Sequence, residues 1–351
     1  MKGQTEEQSR LITGGDSLMA YETGLCFPAI NSSCMKGKRS RHEYNIMYVF
    51  FSLLSAWTVF LNLLVIISIS HFKKLHTPTN LIILSLAVAD ILTGLIVMPL
   101  EAIKLIETCW YFGNTACGLF TITLGVIISA SLSNLVLIAV DRYVALCHPL
   151  RYPQKITKTK TLMTICLCWF CSSAYISALF CSNRRSDSSD KIDVCYGECS
   201  FMMSFTCTVI DLFVSMLLPS TLIIALYLKI FHVVHQQVKV INSLRKGGKR
   251  VREDLVGRKS ERKAAFTLGI IVAIHLLCWL PLYIFFLAGN TMMSSVIVNF
   301  LRWVYYINSG LNPLIYALFY PWFRKSVTCI LSLKIVQPAS SLVDIFSNYY
   351  S

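Results

Sequence analysis

The chain has 351 residues, of which 55% are hydrophobic and only 14% are charged, and its formal net charge is +14 at pH 7. Ordinary soluble domains are roughly a quarter charged, so this composition argues against a water-soluble globular protein. A strong positive charge is also typical of nucleic-acid-binding proteins. Here, however, the basic residues flank long apolar segments, and we expect no nucleic acid partner.

The first 45 residues form a polar N-terminal tail. They lack the basic start, the apolar centre and the small-residue cleavage site of a secretory signal, so we expect the first membrane span to act as its own insertion signal. The tail contains Asn31-Ser32-Ser33, a sequon for N-glycosylation of Asn31. The sequon predicts that the tail lies outside the cell.

Seven apolar stretches follow the tail, and each is long enough to cross a hydrocarbon core of about 30 Å. They lie near 46–70, 80–100, 118–140, 162–181, 203–228, 266–288 and 297–319. The stretches are continuously apolar and do not alternate with polar residues, which favours helices over a closed barrel. The sequence therefore predicts an all-α membrane protein built as a seven-transmembrane helix bundle.

Basic residues concentrate in alternate connections between the stretches. They are Lys73, Lys74, Arg151, Lys155, Lys158, Lys160, several between Lys229 and Lys263, and finally Arg324 and Lys325. Connections rich in Lys and Arg stay in the cytoplasm, so the pattern places the tail outside, in agreement with the sequon. We expect a multi-pass plasma membrane protein with an extracellular N terminus, and membrane lipid is one of its partners.

The last part of the chain, residues 321–351, follows the seven-span domain of residues 46–320. Pro321-Trp322-Phe323-Arg324-Lys325 is followed by Val327, Ile330 and Leu331, which predicts a short amphipathic eighth helix on the inner membrane surface. Cys329 beside it is either a palmitoylation site or an unmodified buried thiol.

Several polar residues lie inside the apolar stretches, where a polar group is costly. Asp90, Ser131, Asn308 and Asn312, with Asn62 beside them, come from four different stretches. Their carboxylate, hydroxyl and amide oxygens could together hold a small cation, and we take the first four as a candidate sodium site. A purely structural polar cluster is the alternative, and we expect no other cofactor.

Motifs in order along residues 45–330 resemble those of class A, rhodopsin-like G protein-coupled receptors. They are Asn62, Leu86-Ala87-Val88-Ala89-Asp90, Asp141-Arg142-Tyr143, Trp169, Pro219 with Tyr227, Cys278-Trp279-Leu280-Pro281 and Asn312-Pro313-Leu314-Ile315-Tyr316. Residues 308–323 are similar to the signature of trace amine-associated receptors, and residues 109–113, 147–152 and 195–199 support this narrower resemblance. The subtype it resembles is a fish-type olfactory one with the amine-binding Asp in the fifth helix.

The resemblance implies two disulfides among the 14 cysteines of the chain, Cys117 with Cys199 and Cys34 with Cys195. Cys26 and Cys109 also lie where an oxidising compartment would let thiols pair, but the resemblance gives them no partner. The two implied bridges would fold the tail over the outer end of the bundle.

The resemblance also implies a switch for a G protein. Its residues are Asp141, Arg142, Tyr143, Tyr227, Glu261, Asn312, Pro313 and Tyr316. At rest Arg142 would pair with Glu261, and on activation it would meet Tyr227 as span six moves outward. The implied partners are a stimulatory, cAMP-raising G protein, arrestin and receptor kinases, and the implied location is the cilia of olfactory sensory neurons.

Amine-binding receptors of this class usually hold the ammonium on an Asp in span three, eighteen residues before the Arg that here is Arg142. Leu124 takes that place, and no acid occurs between Cys117 and Asp141. Asp211, however, lies eight residues before Pro219 in span five, two helical turns toward the outside. Asp211 therefore either binds a cationic ligand or belongs to a structural network. The other ligand-binding candidates are Trp279, Tyr283, Tyr306 and Glu101.

Two features depart from the family pattern. His275 stands four residues before Trp279, where the family usually has Phe, and we interpret it as a neutral, hydrogen-bonded helix residue. Arg302 enters span seven, where a cation would repel an amine. We expect it to pair with Glu101, although Glu101 could instead be a second cation subsite that favours diamines.

Other classes of protein fit less well. A retinal protein needs a Lys in span seven, and none occurs between Val296 and Tyr320. A transporter would show interrupted helices and an internal repeat, and neither is apparent in the sequence. An enzyme would show a phosphate loop, metal-ligand spacing or a nucleophile elbow, and none is found in the sequence. A class A receptor for a non-amine small ligand is the remaining alternative.

Overall fold

The computed structural model describes residues 24–186, 195–199, 203–244, 266–267, 269–281, 284, 295–337 and 340–342. Helices make up nearly all the regular structure of these residues, as the sequence predicts for an all-α protein. We call the end of the helix bundle near Cys117 the outer end and the end near Arg142 the inner end.

A helix lies at each of the seven apolar stretches. Spans one to seven are Arg41–His71, Pro78–Glu107, Gly113–Cys147, Lys158–Asn183, Phe205–Gln236, Gly269–Pro281 and Ser295–Phe319. The helix of span five continues to Leu244. Spans one to five are each long and apolar enough to cross a membrane.

Local signals at the helix ends explain why several helices are longer than their apolar stretches. The Ser40 hydroxyl accepts a hydrogen bond from the Glu43 N–H at 3.2 Å, and the Glu43 carboxylate accepts one from the Ser40 N–H at 3.3 Å. This capping box starts span one at Arg41, ahead of the apolar stretch. Thr77 caps span two in a similar way, just before Pro78. Hydropathy detects only the part of each helix that is apolar enough to lie in the hydrocarbon core of the bilayer.

Spans two and five each contain a wider, π-helical turn. These turns are Thr93–Val97 and Leu212–Leu217, and Pro99 and Pro219 follow them closely. Proline has no N–H to donate and its ring collides with the carbonyl four residues earlier, so a wider turn relieves the clash. The turn in span five directly follows Asp211 and therefore changes how the segment that carries Asp211 is rotated relative to the rest of the helix.

The bundle exposes large apolar side chains on its outside and buries several polar side chains among its apolar core. Phe170, Leu277 and Leu318 expose about 70% of their surface. Asn62 and Asp90 are almost completely buried. Lipid is as apolar as these exposed side chains, whereas buried polar groups can bond to one another across helices. This distribution suits a bundle that lies in a bilayer.

Three disulfides hold the outer cap, by which we mean residues 24–37, 108–113 and 195–199. The structure forms the two implied bridges, Cys34–Cys195 and Cys117–Cys199, and a third, Cys26–Cys109, that the sequence did not predict. Backbone hydrogen bonds reinforce them. The Cys34 N–H donates to the Tyr196 carbonyl at 2.9 Å, and the Trp110 N–H donates to the Gly197 carbonyl at 2.7 Å.

Close packing of the outer cap depends on one glycine. Gly197 has a φ of +101°, and a Cβ there would lie 3.0 Å from the Phe27 ring and 3.2 Å from the Cys26 Cβ. Lys36 ties the cap to span two, since its ammonium lies 2.9 Å from the Glu107 carboxylate, which raises the pKa of Lys36. Asn31 lies exposed in a turn of the cap, where an attached glycan would have room.

We expect the double variant Cys26→Ser, Cys109→Ser to lose about 2–4 kcal/mol of stability, because this bridge closes a loop with a sequence separation of 83 residues. The measurement is the melting temperature of the purified full chain, together with peptide mapping under non-reducing conditions. Cys181→Ser is the control, since Cys181 is a free, exposed cysteine. A double variant that melts like this control would show that the backbone bonds alone hold the cap.

A helix of eleven residues, Pro321–Leu331, follows span seven. Trp322, Phe323 and Ser326 are buried against the bundle, whereas Arg324 is exposed. The exposed guanidinium donates hydrogen bonds to the carbonyls of Ala317 and Leu318 at the end of span seven. Cys329 is half-buried and lies within this helix.

Candidate functional site

Asp211 lies near the outer end of span five and is half-buried. Two hydroxyl groups donate to the same carboxylate oxygen, Ser215 Oγ at 2.7 Å and Tyr175 Oη at 3.2 Å. Among the described residues, no Lys or Arg forms an ion pair with Asp211. The carboxylate is therefore oriented by neutral donors and keeps acceptor positions that they do not use.

Sequence reasoning identified Asp211 but missed both of its partners. Ser215 is one helical turn further along the same helix. Tyr175 comes from span four, where its polar tip inside an apolar stretch was the only signal that could have drawn attention to it.

An apolar cluster includes residues of spans three, five, six and seven. Trp279, Tyr306 and Trp303 belong to its core, and Leu124 and Leu212 pack against it. The cluster thus brings together three predicted ligand-binding residues and the residue that follows Asp211. Tyr283, the remaining aromatic candidate, lies outside the described residues.

Several aromatic rings of this cluster contact one another. Trp279 meets Tyr305 edge to face with ring centroids 4.4 Å apart, and Tyr305 lies 5.1 Å from Tyr306. These contacts between buried rings stabilise the packing of the cluster. Tyr305 was not among the residues selected from the sequence.

Glu101 pairs with two basic residues at the outer end. Arg302 Nη1 lies 3.2 Å from one carboxylate oxygen, and Lys104 Nζ lies 3.6 Å from the other. The Glu101 side chain is only 5% exposed, whereas those of Arg302 and Lys104 are about 30% exposed. The expected pair between spans two and seven is present, and Lys104 is an additional partner of Glu101.

The predicted sodium-site residues meet around one small cavity in the middle of the bundle. The cavity has a volume of about 10 Å³, and Asp90, Ser131, Asn308 and Asn312 all border it. The Asn312 amide donates to Asp90 at 2.9 Å, and Asn308 Oδ1 is buried without a partner among the described residues. A cavity of this size holds about one water-sized sphere, and its oxygens fit a small cation.

His275 also borders this cavity. Its Nδ1 lies 3.1 Å from the Asn308 amide nitrogen, and its ring centroid lies 5.6 Å from that of Trp279. The histidine is thus buried and hydrogen-bonded, as we interpreted it. A Phe in the same place would give the cavity an apolar wall, whereas His275 supplies a nitrogen and links the cavity to Trp279.

The inner end holds a compact polar network around Asp141. The Asp141 carboxylate accepts hydrogen bonds from Thr79 Oγ1 at 2.7 Å and from Tyr152 Oη at 2.9 Å. It also pairs with Arg142 at 2.6 Å, and Arg142 in turn donates to Thr79 at 2.5 Å. Burial, and then the Asp141 carboxylate, raise the pKa of Tyr152 to about 12, so its phenol stays protonated at neutral pH.

The other predicted switch residues are arranged around this network. Tyr227 and Tyr316 are buried, and their hydroxyl groups have no partner among the described residues. Tyr143 is half-buried and packs against His148, while Pro313 lies inside span seven. Glu261, the predicted partner of Arg142, lies outside the described residues. Thr79 and Tyr152 were missed because partners from other elements cannot be read from a single motif.

Comparison with known proteins gives the family. A sequence model of the seven-transmembrane receptors of the rhodopsin family matches residues 61–316. Trace amine-associated receptor 13c of Danio rerio is 38% identical over 331 residues, which cover 92% of this chain and 96% of that protein. Trace amine-associated receptor 9 of Rattus norvegicus is 39% identical over 333 residues, 92% of this chain and 98% of that protein. This chain therefore belongs to the trace amine-associated receptor family of class A G protein-coupled receptors, and it is a receptor and not an enzyme.

Proposed function

We propose that this protein is a receptor for small amines and that Asp211 binds the ligand ammonium. The observation that carries the proposal is the half-buried Asp211 carboxylate, which has two hydroxyl donors and no basic partner among the described residues. A carboxylate in such a place is costly unless a cation approaches it. The names of the related receptors point to the same class of ligand.

Because span three lacks the usual acid, the proposal also predicts how the amine is oriented in the site. Leu124 packs against the aromatic cluster, so this wall of the site is apolar where related amine receptors usually have Asp. The ammonium would lie toward span five, and the apolar part of the amine would lie toward Leu124. Trp279 and Tyr306 would then face the ligand, and a cation near such rings gains about 0.5–2 kcal/mol.

The proposed signalling route runs from this site to the inner end. Ligand binding would favour outward movement of span six and activate a stimulatory G protein that raises cAMP, with arrestin and receptor kinases as later partners. A sodium ion held by Asp90, Ser131, Asn308 and Asn312 would favour one state of the bundle. We place the receptor in the plasma membrane of olfactory cilia, with its N terminus and a glycan on Asn31 outside.

Replacing Thr79 by Val is expected to raise ligand-free cAMP. Thr79 donates to Asp141 and accepts from Arg142, so its hydroxyl group bridges the two charged residues of the resting network. Val keeps the shape and removes both bonds, which we expect to weaken the network by about 1–3 kcal/mol. The measurement is basal cAMP at equal surface expression.

Thr328→Val is the matched control for Thr79→Val, because the Thr328 hydroxyl donates to the Arg324 carbonyl on an exposed helix face and has no other hydrogen bond among the described residues. Basal cAMP that is equal in Thr79→Val and in the parent protein would contradict a resting role for this network.

A receptor for a non-amine small ligand is the second candidate. The two hydroxyl donors on Asp211 could satisfy a purely structural carboxylate, and Arg302 places a cation at the outer end of the bundle. In that case the site would select its ligand mainly by apolar and aromatic contacts.

A panel of volatile amines distinguishes the two candidates. Cells that express the full chain and a cAMP reporter would be exposed to mono- and diamines of increasing length, each matched to the alcohol of the same carbon skeleton. We expect responses to protonated amines and none to the alcohols. Equal responses to an amine and its matched alcohol would favour the non-amine receptor.

A further inference from the structure

A large cavity lies at the inner end of the bundle, away from the proposed amine site. It has a volume of about 460 Å³, within the range of about 300–1,000 Å³ that is typical of small-molecule sites. Its lining residues are Ile82, Leu137, Val140, Asp141, Lys155, Ile156, Lys160, Thr161, Met163 and Thr164. Spans two, three and four and the connection between spans three and four therefore surround it.

In a bilayer, the cavity would lie at the depth of the acyl chains next to the inner membrane surface. Met163 and Thr164 lie about one to two helical turns inside the start of span four at Lys158. Met163 is 67% exposed, so the cavity opens toward the outside of the bundle, where lipid would lie. Aliphatic side chains from spans two and three form its inner wall. An occupant from the bilayer could enter sideways with its apolar part first.

The rim of the cavity carries two basic side chains. Lys155 and Lys160 are both exposed. Lys160 Nζ contacts only the Gln154 carbonyl, at 3.4 Å, and neither lysine forms an ion pair within the part of the chain that the structure describes. The sequence from Arg142 to Ser186 contains no Asp or Glu at all. The Asp141 carboxylate on the wall is already bonded to Arg142 and two hydroxyl groups.

We propose that this cavity binds one anionic phospholipid, with an acyl chain between spans two and four and the headgroup phosphate on Lys155 and Lys160. The apolar lining suits a hydrocarbon chain, and the rim supplies the opposite charge to the headgroup. The cytoplasmic leaflet is rich in anionic lipids, and the proposed orientation puts the cavity there. The bound lipid would lie against the short helix Tyr152–Lys155, whose Tyr152 bonds to Asp141.

The test uses the full chain in nanodiscs of phosphatidylcholine with a minor amount of phosphatidylserine, followed by native mass spectrometry of the retained lipid. We expect the parent protein to retain one phosphatidylserine in preference to phosphatidylcholine. Each lysine near an anionic surface favours binding, so the double variant Lys155→Gln, Lys160→Gln should lower this preference roughly thirtyfold. Soluble glycerophosphoserine should not compete, because it has no acyl chain to fill the cavity.

Two further variants distinguish lipid binding in this cavity from general attraction of lipid to surface charge. The double variant Arg151→Gln, Lys158→Gln removes the same amount of charge from the same part of the chain. Neither residue lines the cavity, so the preference for phosphatidylserine should stay within about twofold. Thr164→Phe keeps every charge and fills the cavity from an exposed position, and it should cause a fall comparable to that of the double lysine variant. An equal fall in both double variants, or unchanged binding in Thr164→Phe, would overturn the proposal. Retention of a neutral lipid regardless of the lysines would overturn it as well.

Discussion

Asp211→Asn is expected to raise the amine concentration that gives half-maximal cAMP by at least about a hundredfold. The substitution keeps the size of the side chain and lets Ser215 and Tyr175 still donate to its oxygen. It removes the negative charge, and breaking a desolvated, hydrogen-bonded charge pair costs about 2–5 kcal/mol. The measurement is a dose–response curve for the most potent amine of the panel at equal surface expression.

Two matched variants test whether the charge or the local network matters. Ser215→Ala and Tyr175→Phe each remove one donor to Asp211 but leave its charge. We expect each to weaken the response by about tenfold or less, since a single neutral hydrogen bond contributes about 0.5–1.5 kcal/mol. This order of effects follows if the carboxylate binds the ammonium directly.

The opposite order of effects would identify a structural carboxylate. If Asp211→Asn left amine potency unchanged while Ser215→Ala or Tyr175→Phe lowered surface expression, the three groups would serve to hold spans four and five together. The non-amine alternative would then become the leading one. A loss of surface expression in Asp211→Asn itself would support the same conclusion.

The sequence was sufficient for the fold because the membrane imposes simple rules. Continuous apolar stretches predict helices, and all seven stretches coincide with helices in the described residues. What hydropathy cannot show is where a helix ends outside the lipid. Span one begins at Arg41 because Ser40 and Glu43 cap it, and span five continues to Leu244 through polar residues.

The site was only partly predictable, because its side chains meet across spans. The spacing between Asp211 and Pro219 pointed to the carboxylate, and the cost of burying a charge predicted the pair of Glu101 with Arg302. Nothing in one sequence indicates that Tyr175 in span four reaches Asp211, or that Cys26 pairs with Cys109. Such contacts depend on how the helices and the outer cap pack.

Arg302→Gln is expected to shift preference from monoamines toward diamines, with a gain of about tenfold or more in the ratio of their potencies. Glu101 is almost buried and now pairs with Arg302 and Lys104. Among the ion pairs that the structure describes, loss of the guanidinium leaves the carboxylate with the longer one, to Lys104 at 3.6 Å. A second ligand ammonium can then take the place of Arg302, because a charge-assisted contact is stronger than one to water. Dose–response curves for mono- and diamines of equal length measure the shift.

Two control variants test this explanation, and they change Glu101, Arg302 and Lys104. Lys104→Gln removes the weaker partner and leaves Arg302 on Glu101, so the preference should change little. The double variant Glu101→Gln, Arg302→Gln removes the carboxylate that the second ammonium would need, and it should return the preference to that of the parent protein. A diamine gain that persists in this double variant would show that loss of repulsion by Arg302, and not binding to Glu101, is the cause. In that case Arg302 limits cations at the outer end simply by its charge, and Asp211 is the single anchor for the amine.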